Sequence, residues 1–375
     1  MIAARCAVVG AGLAGAATAW RLAAEGVGTV LLEARTPAHD GGSSHGSARI
    51  FRHAYADPEY VGLTVRALAG WRELERAAGV ELLRTTGGLD AGPGRDLPAV
   101  AAALDASGLE YELLSAAAAR ARWPRLAFGA GVLHQPDAGV IDAAAAVTAM
   151  VALAAAAGAQ VRTGWRLAGV QRRPGAGWRL TLPDGGEPVE CELLVLCAGG
   201  WLPELARAAE LAPVLAGLPE LRVTQQSVAH FPFPGGDDGA GWPVWVHKGE
   251  LNVYALPGGR DAGHAGFKIA EHDPGRPVAA ATRDGVVDPA ALRRLAGYVR
   301  RFLPDVTAEP YATTTCLYTS TPDEEFVIDR LGDVVAVSAC SGHGAKFAPL
   351  VGELAAGLVA GRDVPRRFRP LGSRP

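Results

Sequence analysis

Residues 41–55 read GGSSHGSARIFRHAY: His45, Arg49, Arg52 and His53 stand among glycine, serine and alanine with no acid between them. Taken alone this is a solvated basic loop. A guanidinium is also a rigid fork of donors, suited to a carboxylate or to another planar anion. Which reading holds depends on what surrounds the loop.

Just upstream, Gly10, Gly12 and Gly15 in GAGLAG complete a G-x-G-x-x-G pattern. A buried parallel strand is expected at CAVVG, residues 6–10, then a helix that stops at Gly26, then a second strand, TVLLE, ending on Glu33. That acid follows the glycines by about 20 residues, the spacing of dinucleotide-binding units. The glycines allow a tight turn and bring a pyrophosphate against a helix N-terminus, where free N–H groups and the dipole favour anions. Glu33 can accept hydrogen bonds from ribose hydroxyls, and an acid there disfavours a 2′-phosphate. The motif leaves NAD and the ADP half of FAD equally open.

The elements that follow narrow the choice. A simple NAD dehydrogenase would continue with further β-α repeats, whereas this chain enters the basic loop. Residues 161–201 read as a meander, with WRLTL between the turn signals RRPGAG and PDGGE, leading into a buried strand at LLVLCAGGW. A third strand–turn–helix junction is expected at VVAVS, CSGHGAK and PLVGELAAGLVAG. A nucleotide domain assembled from separated pieces around a β-meander is the layout of flavoprotein oxidoreductases.

Composition sets the limits. The 375 residues suggest two domains. With 49% hydrophobic and 20% charged residues the chain is globular, and its net charge of −3 without a polybasic run gives no reason to expect nucleic acid or a membrane surface. The most apolar run, residues 143–158, is too short and alanine-rich to span a bilayer. It reads as a helix capped by Asp142, stopped at Gly158 and buried along Val147, Met150, Val151 and Ala154. MIAARCAVVG enters a strand almost at once, so no signal peptide is expected. The five cysteines, at 6, 191, 197, 316 and 340, show neither C-x-x-C nor zinc spacing, which implies a reduced cytoplasmic protein and no metal site.

Four stretches in order, VVGAGLAGAATAWRLAAEGVGTVLLEA, GSSHGSARIFRHAY, TTTCLYTSTPDEEFVID and SGHGAKF, resemble the monomeric sarcosine oxidase and N-methyltryptophan oxidase family. The likeness is strongest over residues 5–75 and 310–350. The resemblance implies a D-amino-acid-oxidase fold and FAD held covalently, as an 8α-S-cysteinyl thioether, through Cys316. It aligns Arg52 with the group that grips the substrate carboxylate, and Lys346 with a second carboxylate ligand. His45 and Arg49 would lie along the flavin ring. Lys268, in HAGFKIAEH, would stand beside flavin N5 and activate O₂, since a cation there stabilises developing negative charge. His272 and Tyr254 would help wall the pocket. Tyr318 should face the same way as Cys316, two residues earlier on its strand. Gly342 and Gly344 belong to a turn whose N–H groups suit the flavin pyrimidine oxygens. Cys340 departs from the family pattern.

The expected fold is thus α/β: a glutathione-reductase-like FAD domain from residues 1–80, 141–215 and 313–375, under a mixed-sheet substrate domain from 81–140 and 216–312. The expected reaction oxidises a secondary or N-methyl amine of a carboxylate-bearing amino acid to an imine, with O₂ reduced to H₂O₂ by a monomer. Alternatives are a flavin dehydrogenase that delivers electrons to a partner protein, and a NAD-binding reductase or regulator.

Overall fold

A computed structural model of the chain describes residues 2–235, 239–272 and 275–370. Its first sheet grows from the strand Ile2–Val9, whose last four residues are all buried. On one side it pairs in parallel with Thr29–Leu32, which in turn pairs with Gln160–Arg162. On the other it pairs in parallel with Val189–Leu196. That long strand is shared. Its first residues close the antiparallel meander of Gly169–Arg172 and Trp178–Thr181, while Leu194–Leu196 pair in parallel with Val334–Ser338. The strand Gln160–Arg162 therefore belongs beside Thr29–Leu32 and not in the meander.

Helices Leu13–Ala24, Ala143–Ala156 and Ala348–Val359 cover this sheet. The small residues abundant in the sequence let them approach closely: a Cβ on Gly352 would sit 2.5 Å from the backbone of Ala17. Asp142 caps its helix by accepting from Ala145 N at 2.9 Å. Val147, Met150 and Ala154 are buried as expected, but Val151 is only half-buried, since the inner stripe runs through Ala143 and Ala146 instead.

The second sheet runs Arg276–Pro277, Arg222–Pro232, Gly266–Glu271, Asn252–Gly258, Val244–Lys248, Gly88–Ala91, Val132–Gln135, Glu112–Leu114. Helix Pro289–Phe302 packs on it through Ala291, Leu295, Tyr298 and Val299, one face of a 3.6-residue period. Along the free side of Arg222–Pro232 lies Ala312–Ser320, paired antiparallel from Arg222↔Ser320 to His230↔Ala312. The Cys316 strand belongs to the second sheet, because the long strand beside it offers a full ladder of partners. The chain returns to the first sheet only at Val327–Leu331. A small sheet of Arg49–Phe51, Gly139–Ile141 and Leu83–Thr85 anchors the basic loop between the two.

Candidate active site

A cavity of about 870 Å³ is lined by residues of both sheets, near the upper end of the range for small-molecule sites. Gly10, Gly12, Glu33, Arg49, Arg52, Tyr254, Lys268, His272, Cys316, Tyr318, Gly342, Gly344 and Lys346 all line it. Gly15 and His45 are not on its wall; Gly15 packs under Gly10, and His45 is hydrogen-bonded to Cys316.

One end is a glycine cradle. Gly10 has φ +97°, and a Cβ there would meet Cys197 O at 2.6 Å. A Cβ on Gly15 would lie 1.8 Å from Gly10 O, so any side chain would push the helix off the turn. Leu13 N, in the first helical turn, donates to Ser44 Oγ at 2.9 Å. Glu33 is 5% exposed, and its two oxygens accept from Ala11 N and Arg35 N, each at 2.8 Å. Those bonds fix the carboxylate and leave lone pairs free for ribose hydroxyls. A backbone stripped of side chains, a helix start and an oriented acid fit the ADP half of FAD.

The other end is built on the basic loop. Arg49 donates to Ala48 O at 2.9 Å and Ser43 O at 3.0 Å, and its Nη2 lies 3.8 Å from Cys316 Sγ. Burial pushes the Cys316 thiol up, but the hydrogen bond from His45 and the charges of Arg49, His45 and Lys268 outweigh it and hold the thiol at about 6. The contrast with the other cysteines is sharp: burial raises Cys191 and Cys197 to about 12 and also raises Cys6 and Cys340. Cys316 is therefore the thiol of the five that ionises most readily. Cys340 lines the cavity too, where its Sγ accepts from Thr319 N at 3.4 Å.

Lys268 is 4% exposed and donates to Ala48 O at 2.9 Å. Burial first, and then the Arg49 charge, pull it down to about 7, against the opposing fields of Cys316 and Asp261. Asp261 in turn pins the loop: its Oδ1 accepts from Ser47 N at 2.9 Å and from Ser47 Oγ. Tyr318 OH lies 3.4 Å from His272 Nδ1, and burial raises the phenols of both Tyr318 and Tyr254. Gly342, at φ +71°, leaves room for this pair; a Cβ there would meet Tyr318 at 2.6 Å and His272 at 2.8 Å. Gly344 opens a 3₁₀ turn, Gly344–Phe347, before the last long helix.

Arg52 and Lys346 come together here from opposite ends of the chain. Lys346, 4% exposed, donates to His343 O at 2.6 Å and Tyr55 OH at 3.0 Å. Its backbone carbonyl is held by the buried indole of Trp71 at 2.7 Å. Burial, and then the Arg52 charge, push Lys346 well below the ordinary lysine range. Arg52 lies over the Tyr55 ring at 5.0 Å, donates to Ala54 O, and faces Asp90 Oδ1 at 3.7 Å. Asp90 and its second partner, Arg95, were not singled out from the sequence. Tyr55 and His343 sat inside quoted motifs, RHAY and SGHG, yet carried no assigned role. Among the described residues no group of His, Cys, Asp and Glu could hold a metal ion, and no helix is long and apolar enough to cross a membrane.

Comparison with known proteins agrees with this architecture. The family model described as "FAD dependent oxidoreductase" (DAO) matches residues 5–358. Human peroxisomal sarcosine oxidase is 32% identical over 364 residues, covering 92% of this chain and 90% of that protein. A monomeric sarcosine oxidase from Bacillus sp. is 30% identical, covering 94% and 91%. The N-methyl-L-tryptophan oxidase of Salmonella arizonae is 28% identical, covering 93% and 92%. Among solved structures, the open form of NikD, an unusual amino acid oxidase essential for nikkomycin biosynthesis, superposes with a TM-score of 0.84 at 25% identity, covering 99% of this chain and 98% of that one. L-proline dehydrogenase from P. horikoshii shares the fold at a TM-score of 0.83 and 20% identity, covering 99% and 97%. By sequence, glycine cradle and two-sheet architecture alike, the chain belongs to the DAO family of FAD-dependent oxidoreductases.

Proposed function

We propose that this FAD-dependent oxidase acts on an amino acid with a secondary or N-methyl amine, that O₂ is its electron acceptor, and that its flavin is tethered through Cys316. One observation carries the reading: a low-pKa thiol, a buried lysine and a pair of cations converge at one end of a cavity whose other end is a dinucleotide cradle. The named relatives, sarcosine oxidase and N-methyl-L-tryptophan oxidase, act on N-methyl amino acids by their names.

Bound there, the flavin supplies an acceptor for the hydride lost from the carbon beside the amine and relays the electrons to O₂. The chain's own residues do the rest. Arg52 and Lys346 receive the substrate carboxylate, an anion that offsets the cost of holding two cations out of water. Their positive charge also favours the neutral amine over the ammonium, and the neutral form has the lone pair that assists C–H cleavage. Tyr254 and Tyr318 close the wall and limit water. Lys268 in its protonated form places a positive charge next to the loop carrying Arg49, and negative charge developing there during O₂ reduction would favour that form. No residue stands out as the amine's proton acceptor other than His272, hydrogen-bonded to Tyr318. The five free thiols suit a reducing compartment, and we read the working unit as a monomer.

An absorption spectrum taken before and after acid precipitation tests this reading. A yellow protein whose precipitate stays yellow, and whose Cys316→Ser variant releases FAD, is the expected result. A white pellet from the wild-type protein removes the tether, and a colourless native protein removes the flavin.

A further inference from the structure

The substrate end of the cavity holds more positive charge than one carboxylate uses. Arg52, Arg95, Lys248 and Lys346 all line it. The acid buried among them is Asp90, 2% exposed, with Arg95 Nη2 at 2.7 Å and Arg52 Nη1 at 3.7 Å. One carboxylate thus faces two guanidiniums. The Arg95 side chain is only 9% exposed, and although Nη2 also donates to Ala54 O at 2.6 Å, its buried Nε has no hydrogen-bond partner among the described residues. A buried donor left unpaired in this way costs stability unless a ligand completes it.

The backbone brings Lys248 to the same place. Gly92, at φ +99°, lets the chain cross so close to the end of strand Val244–Lys248 that a Cβ would lie 2.1 Å from Lys248 O, and Gly94 N donates to that oxygen at 3.0 Å. The turn that carries Arg95 is therefore fastened to Lys248. Acids elsewhere on the wall do not neutralise the pair. Asp57 and Glu325 are engaged by Arg367, and Asp323 and Glu324 are exposed. At Lys248 burial lowers the pKa and the fields of Arg95 and Arg52 lower it further, ahead of the opposing fields of Glu324 and Asp90.

Resting on the reading above, in which Arg52 and Lys346 take the α-carboxylate, we propose that Arg95 and Lys248 form a second anion subsite. The substrate is then an N-substituted amino acid with a second carboxylate on its side chain. The physical reason is charge balance: Arg52, Arg95, Lys248 and Lys346 outnumber Asp90 and the α-carboxylate, and a second carboxylate offsets the excess with geometry matched to a guanidinium fork.

The test uses the flavin-loaded enzyme and isosteric pairs differing in one charge: N-methyl-L-aspartate against N-methyl-L-asparagine, and N-methyl-L-glutamate against N-methyl-L-glutamine. Peroxide production gives kcat/KM for each. We expect one acid to exceed its amide by about 10-fold or more, carried mainly in KM. Lys248→Met should pull the acid-to-amide ratio toward one. So should the paired change Asp90→Asn with Arg95→Gln, which removes Arg95 together with its nearest counter-charge and leaves Arg52 to the α-carboxylate; if that variant fails to fold, the Lys248→Met ratio decides. Amides used as well as the acids would overturn the subsite and leave the proposed reaction standing. A flavin-loaded enzyme that oxidises no N-methyl amino acid, acid or amide, overturns the reaction and the subsite together.

Discussion

The Cys316 thiol offers a prediction that needs no bound flavin. Arg49 Nη2 lies 3.8 Å from its sulfur. At an effective dielectric of about 20, opposite unit charges at that distance attract by about 4 kcal/mol, equivalent to about 3 pKa units. The fall of the thiol from 9.0 to about 6 is what remains after burial raises it and the His45 hydrogen bond and the charges of Arg49, His45 and Lys268 lower it, so Arg49 supplies one substantial part. Arg49→Leu removes the charge and keeps the burial, so the thiol should rise by about 2 units or more, His45 and Lys268 still opposing the rise. At pH 7 the thiolate fraction would drop from about nine-tenths to about one-tenth, and its alkylation rate by about 10-fold. The assay is the pH profile of iodoacetamide labelling in flavin-free protein made under riboflavin limitation, read at each cysteine by mass spectrometry. Cys316 should label first, with an inflection near pH 6, because the other four thiols are all shifted upward. Arg49→Lys, which keeps a charge in place, should retain most of the reactivity. An inflection above pH 8 in the wild type, or an unchanged profile in Arg49→Leu, would refute the electrostatic account.

Lys268→Met should slow flavin reoxidation by O₂ about 100-fold while affecting anaerobic reduction far less; stopped-flow measurement of both half-reactions decides, and equal slowing removes lysine from the O₂ step. Burial and then the Arg52 charge push Lys346 well below the ordinary lysine range in the free protein, and an anion joining it should move it back up. Binding of pyrrole-2-carboxylate should therefore take up a proton, and affinity should fall as pH rises through the neutral-to-alkaline range. Calorimetry in two buffers of different ionisation enthalpy measures this, and no proton uptake at pH 8 would contradict it. Gly15→Ala puts a methyl where Gly10 O stands at 1.8 Å. We expect about 1–3 kcal/mol of destabilisation by thermal melting and a loss of FAD retention in the Cys316→Ser background.

The parts of this fold that were readable from sequence are those where geometry permits one residue type. Gly10 and Gly15 leave no space for a side chain, and Glu33 closes the unit at a fixed distance, so that pattern carries its structure with it. The strand Ala312–Ser320 is different. Its sequence, ATTTCLYTS, gives no sign of its partner, and only the ladder with Arg222–Pro232 assigns it to the second sheet. Asp90 and Arg95 escaped notice for a related reason. They sit in GGLDAGPGRD, which reads as a surface turn, and they become buried because Gly88–Ala91 pairs with Val244–Lys248, remote in the chain. Val151 shows the weakness of periodicity in an alanine-rich helix, where several faces are nearly equal in apolarity and tertiary packing selects among them.

The first sheet has a consequence for how the protein is made. Ile2–Val9 leaves the ribosome well before its neighbour Val189–Leu196, that strand's partner Val334–Ser338, and the helix Ala348–Val359 that packs on Leu13–Ala24. At about 5–20 residues per second, the interval is tens of seconds. Throughout it the nascent chain carries an apolar strand with an unpaired edge, which is a hazard for aggregation and a natural client for chaperones. The nucleotide signature is complete by Glu33, but the pocket it serves exists only once Val334–Ser338 and the turn after it have been made. Cofactor loading thus has to wait for that late segment, and a chain cut short before Val334 keeps Gly10, Gly12 and Gly15 while lacking the Gly342–Lys346 side of the pocket.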